Sequence, residues 1–242
     1  MKIGGFQKFS LLDYPGQLAA IIFTQGCNFR CPYCHNPRLV DPQRFGKRIS
    51  NSKIVEFLQK RLGRLDSVSI TGGEPTLQKD LIPFIRMLKK MGYKIKLDTN
   101  GSHPEVIEKL VAEDLVDYWA MDLKAPAQLY RILTRSEIDM RDILSSMRLL
   151  RESGKGYEFR TTFFDLLFTW DDIADIRALL KPGDKFCLQE CRYKVTLDNL
   201  QPGKEKTGLS EAAYRSLMDH PQSQSLIHWG DENHIDVMIR SL

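Results

Sequence analysis

From about residue 18 to about residue 220, short runs rich in β-branched and aromatic residues alternate with longer segments whose apolar residues recur at helical spacing. A strand that reaches the next strand through a helix returns in the same direction, so this alternation specifies βα units around a parallel sheet. Six candidate strands are read: Leu18–Thr24, Ser67–Thr71, Tyr93–Thr99, Asp117–Leu123, Glu158–Phe164 and Lys185–Cys191. Between them run the apolar stripes Ile54, Val55, Leu58 and Leu62; Leu81, Ile82, Ile85 and Leu88; Ile143, Met147 and Leu150; and Ile173, Ile176 and Leu180. They are read as core-facing helix surfaces. Ser102 with Glu105, and Thr169 with Asp172, have the spacing of capping boxes, the first opening a helix through Val106, Ile107, Leu110 and Val111. No Pro/Ser-rich linker divides the chain, so one domain is expected over 1–242, with its core at about 18–200 and an extension at 201–242.

Unusual residues gather at one end of this scheme. A cysteine cluster follows the first strand, Gly72-Gly-Glu-Pro75 the second, Asp98-Thr-Asn100 ends the third, and Asp122-Leu-Lys124 ends the fourth. Ligand chemistry in parallel α/β proteins collects beyond the carboxyl ends of the strands.

The chain holds five cysteines, and Cys27, Cys31 and Cys34 fall within eight residues. An odd, clustered count argues against a disulfide framework. No signal sequence or apolar run of membrane-spanning length is apparent, so a cytoplasmic chain with reduced thiols is expected. C-x3-C-x2-C lets one loop wrap three thiolates around one centre, and a cube held by three cysteines keeps one iron open. The alternative from the residues alone is a structural zinc site on Cys27, Cys31, Cys34 and His35, giving a zinc-stabilised binding module. Cys187 and Cys191, four apart on a strand, lie about 13 Å from one another and are read as ordinary buried thiols. A net charge of +4 without basic runs gives no reason to expect nucleic acid.

The segment Cys27-x3-Cys31-x-Tyr33-Cys34-His35-Asn36, preceded by Asp13-Tyr-Pro-Gly16 and Gln25-Gly26 and followed by Gly72-Gly-Glu-Pro75, resembles the radical S-adenosylmethionine enzymes. Within them it is similar to the activating enzymes of glycyl-radical enzymes, those of anaerobic ribonucleoside-triphosphate reductase first and those of pyruvate formate-lyase next. The resemblance implies a partial (β/α)6 TIM-type barrel, open enough to admit a partner's glycine loop. It implies one [4Fe-4S] cluster on Cys27, Cys31 and Cys34 that cleaves S-adenosylmethionine to a 5′-deoxyadenosyl radical, which takes a hydrogen atom from a partner's glycine. The cofactor carries that chemistry, so no catalytic side chain beyond it is expected.

By the same resemblance Tyr33 and His35 lie on the adenine side of the cofactor, Gly72, Gly73 and Glu74 beside its methionyl group, and Asp98, Asp122 and Lys124 near it. Asp98, Thr99 and Asp122 match positions that bind a monovalent cation in the family. A flavodoxin or ferredoxin-type donor is implied as well. The chain departs from the pattern in lacking the Val-Pro-Gly turn after the fifth strand, any histidine between His103 and His220, and further cysteine sets. A second reading within the family is a small-molecule enzyme similar to 7-carboxy-7-deazaguanine synthase.

Overall fold

The computed structural model describes residues 1–200 and 217–240. Its main elements, in chain order, are β1 (Ile3–Ser10), β2 (Ala19–Thr24), α1 (Pro37–Val40), α2 (Asn51–Gln59), β3 (Ser67–Gly72), α3 (Leu81–Lys90), β4 (Lys94–Thr99), α4 (Pro104–Ala112), β5 (Tyr118–Asp122), α5 (Ala127–Thr134), α6 (Met140–Glu152), β6 (Gly156–Phe163), α7 (Trp170–Arg177), β7 (Lys185–Glu190), α8 (Pro221–Glu232) and β8 (Asp236–Arg240). The chain divides into two compact units. One holds Met1–Phe29, Asn36–Met121 and Ile138–Tyr157; the other holds Arg30–His35, Asp122–Glu137 and the described residues from Glu158 onward.

In the first unit β2, β3, β4 and β5 pair in parallel and in sequence order, as the alternation requires. Ile21, Ile22, Val68, Ile70, Ile95, Leu97, Trp119 and Ala120 are all buried, because a parallel strand is covered on both faces. The covering helices bury Ile54 and Leu58 from α2, Leu81, Phe84, Ile85 and Leu88 from α3, and Ile143, Met147 and Leu150 from α6. Leu62 falls beyond the end of α2 and is exposed.

β1 was not expected: it pairs antiparallel with β2 and adds a strand ahead of the first βα unit. The capping box at Ser102 does not form. α4 starts at Pro104 with His103 as its N-cap and no side-chain cap bond, while the Ser102 hydroxyl donates to Asn100 Oδ1 at 2.6 Å.

In the second unit β6, β7 and β8 pair in parallel. The expected capping box of α7 forms, Thr169 accepting from Asp172 N and the Asp172 carboxylate accepting from Thr169 N. Beyond Gln201, expected as an extension, residues 201–216 lie outside the described residues, while α8 packs on β8 and β8 joins β7. Leu123, one residue past β5, is bonded to β6: its N–H donates to Arg160 O at 2.7 Å, and its carbonyl accepts from Thr161 Oγ1 at 2.8 Å. Among the described residues no helix is long and apolar enough to cross a membrane.

Candidate functional site

The first unit holds the Gly72-Gly73-Glu74 turn, Cys27, and the end of β4. Where β2 stops, Gly26 takes a φ of +103° and its N–H donates to Leu39 O at 2.8 Å. The turn after β3 presses onto this exit. Gly73 N donates to Thr24 O at 2.9 Å and Glu74 N to Gly26 O at 2.8 Å. A Cβ on Gly73 would lie 2.1 Å from Gly26 O, and one on Gly72, whose φ is +112°, would lie 2.5 Å from Thr24 N. Both glycines are therefore demanded by backbone packed against the start of the cysteine loop.

Glu74 is a buried junction. Its Oε1 accepts from Thr76 N at 3.1 Å, Thr76 Oγ1 at 2.6 Å and Thr99 Oγ1 at 2.8 Å, and its Oε2 accepts from Asn100 N at 2.7 Å. Burial pushes its carboxyl above the ordinary range, and these four donors pull it back. The carboxylate thus ties the β3 turn to the end of β4. Asn100 in turn accepts from Ser102 N at 3.0 Å, and its Nδ2 donates to Asn28 Oδ1 at 2.9 Å and faces Cys27 Sγ at 4.0 Å. Cys27 Sγ also accepts from Phe29 N at 3.4 Å. Asp98 is ion-paired with buried Lys96.

The second unit holds Cys31, Tyr33, Cys34, His35, Asp122 and Lys124. Its cysteine segment is pinned at three points: Arg30 N donates to Thr134 O at 2.8 Å, Asp198 N to Pro32 O at 3.2 Å, and Arg192 N to His35 Nε2 at 3.1 Å. Burial pushes the Cys31 thiol up to about 12 although Lys124 opposes it. Burial also lowers the pKa of His35, favouring the neutral ring.

Tyr33 is almost fully buried, its ring 5.2 Å from that of Phe164, and its hydroxyl has no hydrogen-bond partner among the described residues. Asp122 is clamped by Lys124 Nζ at 2.7 Å on Oδ2 and Arg160 Nε at 3.0 Å on Oδ1. Burial raises the Asp122 pKa, but the two cations outweigh it and bring it down to about 2. Burial likewise opposes the charge on Lys124, yet Asp122 lifts that amine well above its ordinary value. The row continues: Arg160 Nη1 lies 4.0 Å from Glu158 Oε1, and Arg240 Nη2 lies 3.3 Å from Glu158 Oε2.

Asp98 and Asp122, the two carboxylates that the resemblance offers to a monovalent cation, each already meet a protein cation, and Thr99 donates to Glu74. Among the described residues no three His, Cys, Asp or Glu side chains gather as the ligands of one metal ion would.

None of the five cysteines forms a disulfide. Cys187 and Cys191 are buried, with thiols raised by burial to about 11 and about 12. Cys191 Sγ nevertheless lies 4.0 Å from His35 Nε2, a contact that no sequence spacing announces. Arg160, Arg192, Asn28 and Asn100 were likewise absent from the sequence-derived site, although Asn100 directly follows its Asp98-Thr99 pair.

Residues 21–180 match the family described as the Radical SAM superfamily. A candidate glycyl-radical enzyme activating enzyme of Methanocaldococcus jannaschii is 36% identical over 202 residues, covering 81% of this chain and 82% of that protein. The pyruvate formate-lyase-activating enzyme of Streptococcus mutans is 30% identical over 217 residues, 82% and 74% of the two chains. A 7-carboxy-7-deazaguanine synthase of Koribacter versatilis is 28% identical over 234 residues, 94% and 87%. Among solved structures, Streptococcus suis SuiB bound to precursor peptide SuiA shares the fold, with a TM-score of 0.67 at 15% identity over 91% of this chain. The chain spans about half the length of that structure, covering 48% of it. The expected partial TIM-type barrel class is that of these neighbours, and the family implies a [4Fe-4S] cluster and S-adenosylmethionine. The cysteine loop, the strand-end residues and this match lead to one conclusion: the chain belongs to the radical S-adenosylmethionine superfamily and is a radical SAM enzyme.

Proposed function

We propose that residues 1–242 act as one radical SAM domain that generates a glycyl radical on a partner enzyme, with anaerobic ribonucleoside-triphosphate reductase as that partner. Cys27, Cys31 and Cys34 would hold the [4Fe-4S] cluster, which when bound supplies the electron for reductive cleavage of S-adenosylmethionine. The observation that carries the reading is the loop itself: three thiols within eight residues, its first anchored at Gly26 and its last two at Arg30, Pro32 and His35. The residues fit such a group. Thiolates are the donors iron–sulfur clusters take, and the buried Tyr33 hydroxyl, without a hydrogen-bond partner among the described residues, offers a polar atom that a bound ligand can satisfy.

Each side chain then has a task. Gly72 and Gly73 let the β3 turn close on the cysteine loop, and Glu74 holds that turn to Thr99 and Asn100. Tyr33 and His35 would face the adenine side of S-adenosylmethionine. Lys124, with Asp122 fixing its ammonium, would meet the cofactor's negative groups, and Asp98 would lie on its polar side. A flavodoxin or ferredoxin-type donor in the cytoplasm would reduce the cluster.

The test is anaerobic reconstitution, reduction with dithionite, and addition of S-adenosylmethionine with the reductase. Formation of 5′-deoxyadenosine and a glycyl-radical electron spin resonance doublet on the reductase is expected. No cleavage by protein with a full iron complement would overturn the reading. The likeness to the Koribacter versatilis synthase favours a second reading, a small-molecule substrate; cleavage without a radical on any glycyl-radical enzyme would select it.

A further inference from the structure

We infer that Asn100 is a positioning residue for the Cys27 sulfur, aiming an amide hydrogen at it and thereby easing reduction of a cluster bound there. The inference rests on Cys27 being a cluster ligand, as proposed above. Its basis is the one-way orientation of the Asn100 amide. Oδ1 accepts the Ser102 backbone N–H at 3.0 Å, and a backbone N–H can only donate, so the oxygen is fixed on that side. The Ser102 hydroxyl reinforces it at 2.6 Å.

Nδ2 is consequently turned the other way. An amide nitrogen carries two hydrogens. One goes to Asn28 Oδ1 at 2.9 Å, and the other side of the nitrogen faces Cys27 Sγ at 4.0 Å. Asn28 is locked in its own sense, because its Nδ2 donates to Ser102 Oγ at 2.9 Å. The Asn100 backbone is held from behind by the buried Glu74 carboxylate at 2.7 Å. The side chains of Ser102, Asn28 and Glu74, all in one unit, thus hold a single donor toward one sulfur. A neutral thiol attracts that donor weakly; a thiolate attracts it more, since charge-assisted hydrogen bonds are shorter and stronger. Donors to cluster sulfurs stabilise the extra negative charge of the reduced state and so raise the reduction potential.

The experiment is a redox titration of anaerobically reconstituted parent and Asn100→Ala proteins, followed by electron spin resonance of the reduced cluster, with iron counted per chain. Iron content should be unchanged, and at a fixed potential the ratio of reduced to oxidised cluster should fall about tenfold, equivalent to ~59 mV for one electron. An unaltered midpoint in a variant with full iron would overturn the inference, because a purely structural asparagine would change stability or loading without moving the potential. Should Asn100→Ala fail to fold, Asn100→Leu decides: it keeps the side-chain shape and removes the donor, its ratio should likewise fall about tenfold, and an unmoved midpoint overturns the inference. Cys27→Ala separates the two levels of the argument. Full iron in that variant would overturn the ligand assignment, while lost iron there with an unmoved midpoint in Asn100→Ala would overturn only the role of Asn100.

Discussion

The clamp on Asp122 makes a quantitative prediction about acid stability. Although burial disfavours its charge, Lys124 and Arg160 hold the carboxyl at about 2 against an ordinary 3.8. Between those values the native state binds fewer protons than the unfolded chain. The stabilisation is therefore complete above about pH 4 and disappears as pH falls through 2. A depression of that size is worth about 2 kcal/mol at neutral pH and roughly half as much at pH 3.

Asp122→Asn keeps the shape and removes the titration. Urea unfolding of the two proteins should show a gap of about 2 kcal/mol at pH 7 that shrinks to about 1 kcal/mol at pH 3. Glu74, whose pKa burial raises, titrates in both proteins and cancels from the difference. A gap equal at pH 7 and pH 3 would refute the reasoning, since it would mean that the asparagine acts through packing and that the carboxylate is not held charged by its two partners.

Gly73→Ala should lower stability by about 2–4 kcal/mol, because its Cβ would meet the Gly26 carbonyl and strain two backbone hydrogen bonds of about 1 kcal/mol each. Gly16→Ala, at a φ of +69° with open space around it, should cost about 1 kcal/mol, and comparable melting shifts for the two would count against close backbone packing at the β3 turn. Alanine at any one of Cys27, Cys31 or Cys34 should remove most of the iron bound after anaerobic reconstitution, while Cys187→Ala should retain it; equal loss from Cys187→Ala would show that the ligands are misassigned.

The parallel strands were legible because burial on both faces favours apolar runs, as in Ala19 to Phe23 of β2. β1 was not, since its Gly4, Gly5, Gln7 and Lys8 lack such a run, and its strand character comes from pairing with β2. The box at Thr169 was real and the one at Ser102 was not. Both have the right spacing, but Asn100 binds the Ser102 hydroxyl and Pro104 opens the helix instead. The cysteine loop could be read because its chemistry lies within a few residues. Arg160 on Asp122 and Arg192 on His35 could not, as their separations of 38 and 157 residues are closed only by the return of β6 and the end of β7.

The charged row in the second unit also bears on how the chain matures. Lys124, Asp122, Arg160, Glu158 and Arg240 alternate in sign, with cations at both ends. Arg240 is separated by 82 residues from the Glu158 it pairs with, and it sits at the end of the last described strand. On a growing chain, the first four members form a balanced set before Arg240 has been made. The surplus positive charge of the row arrives with β8. Loss of that strand would thus take one cation from Glu158, within the chain's charged row, as well as disturb the packing of β7.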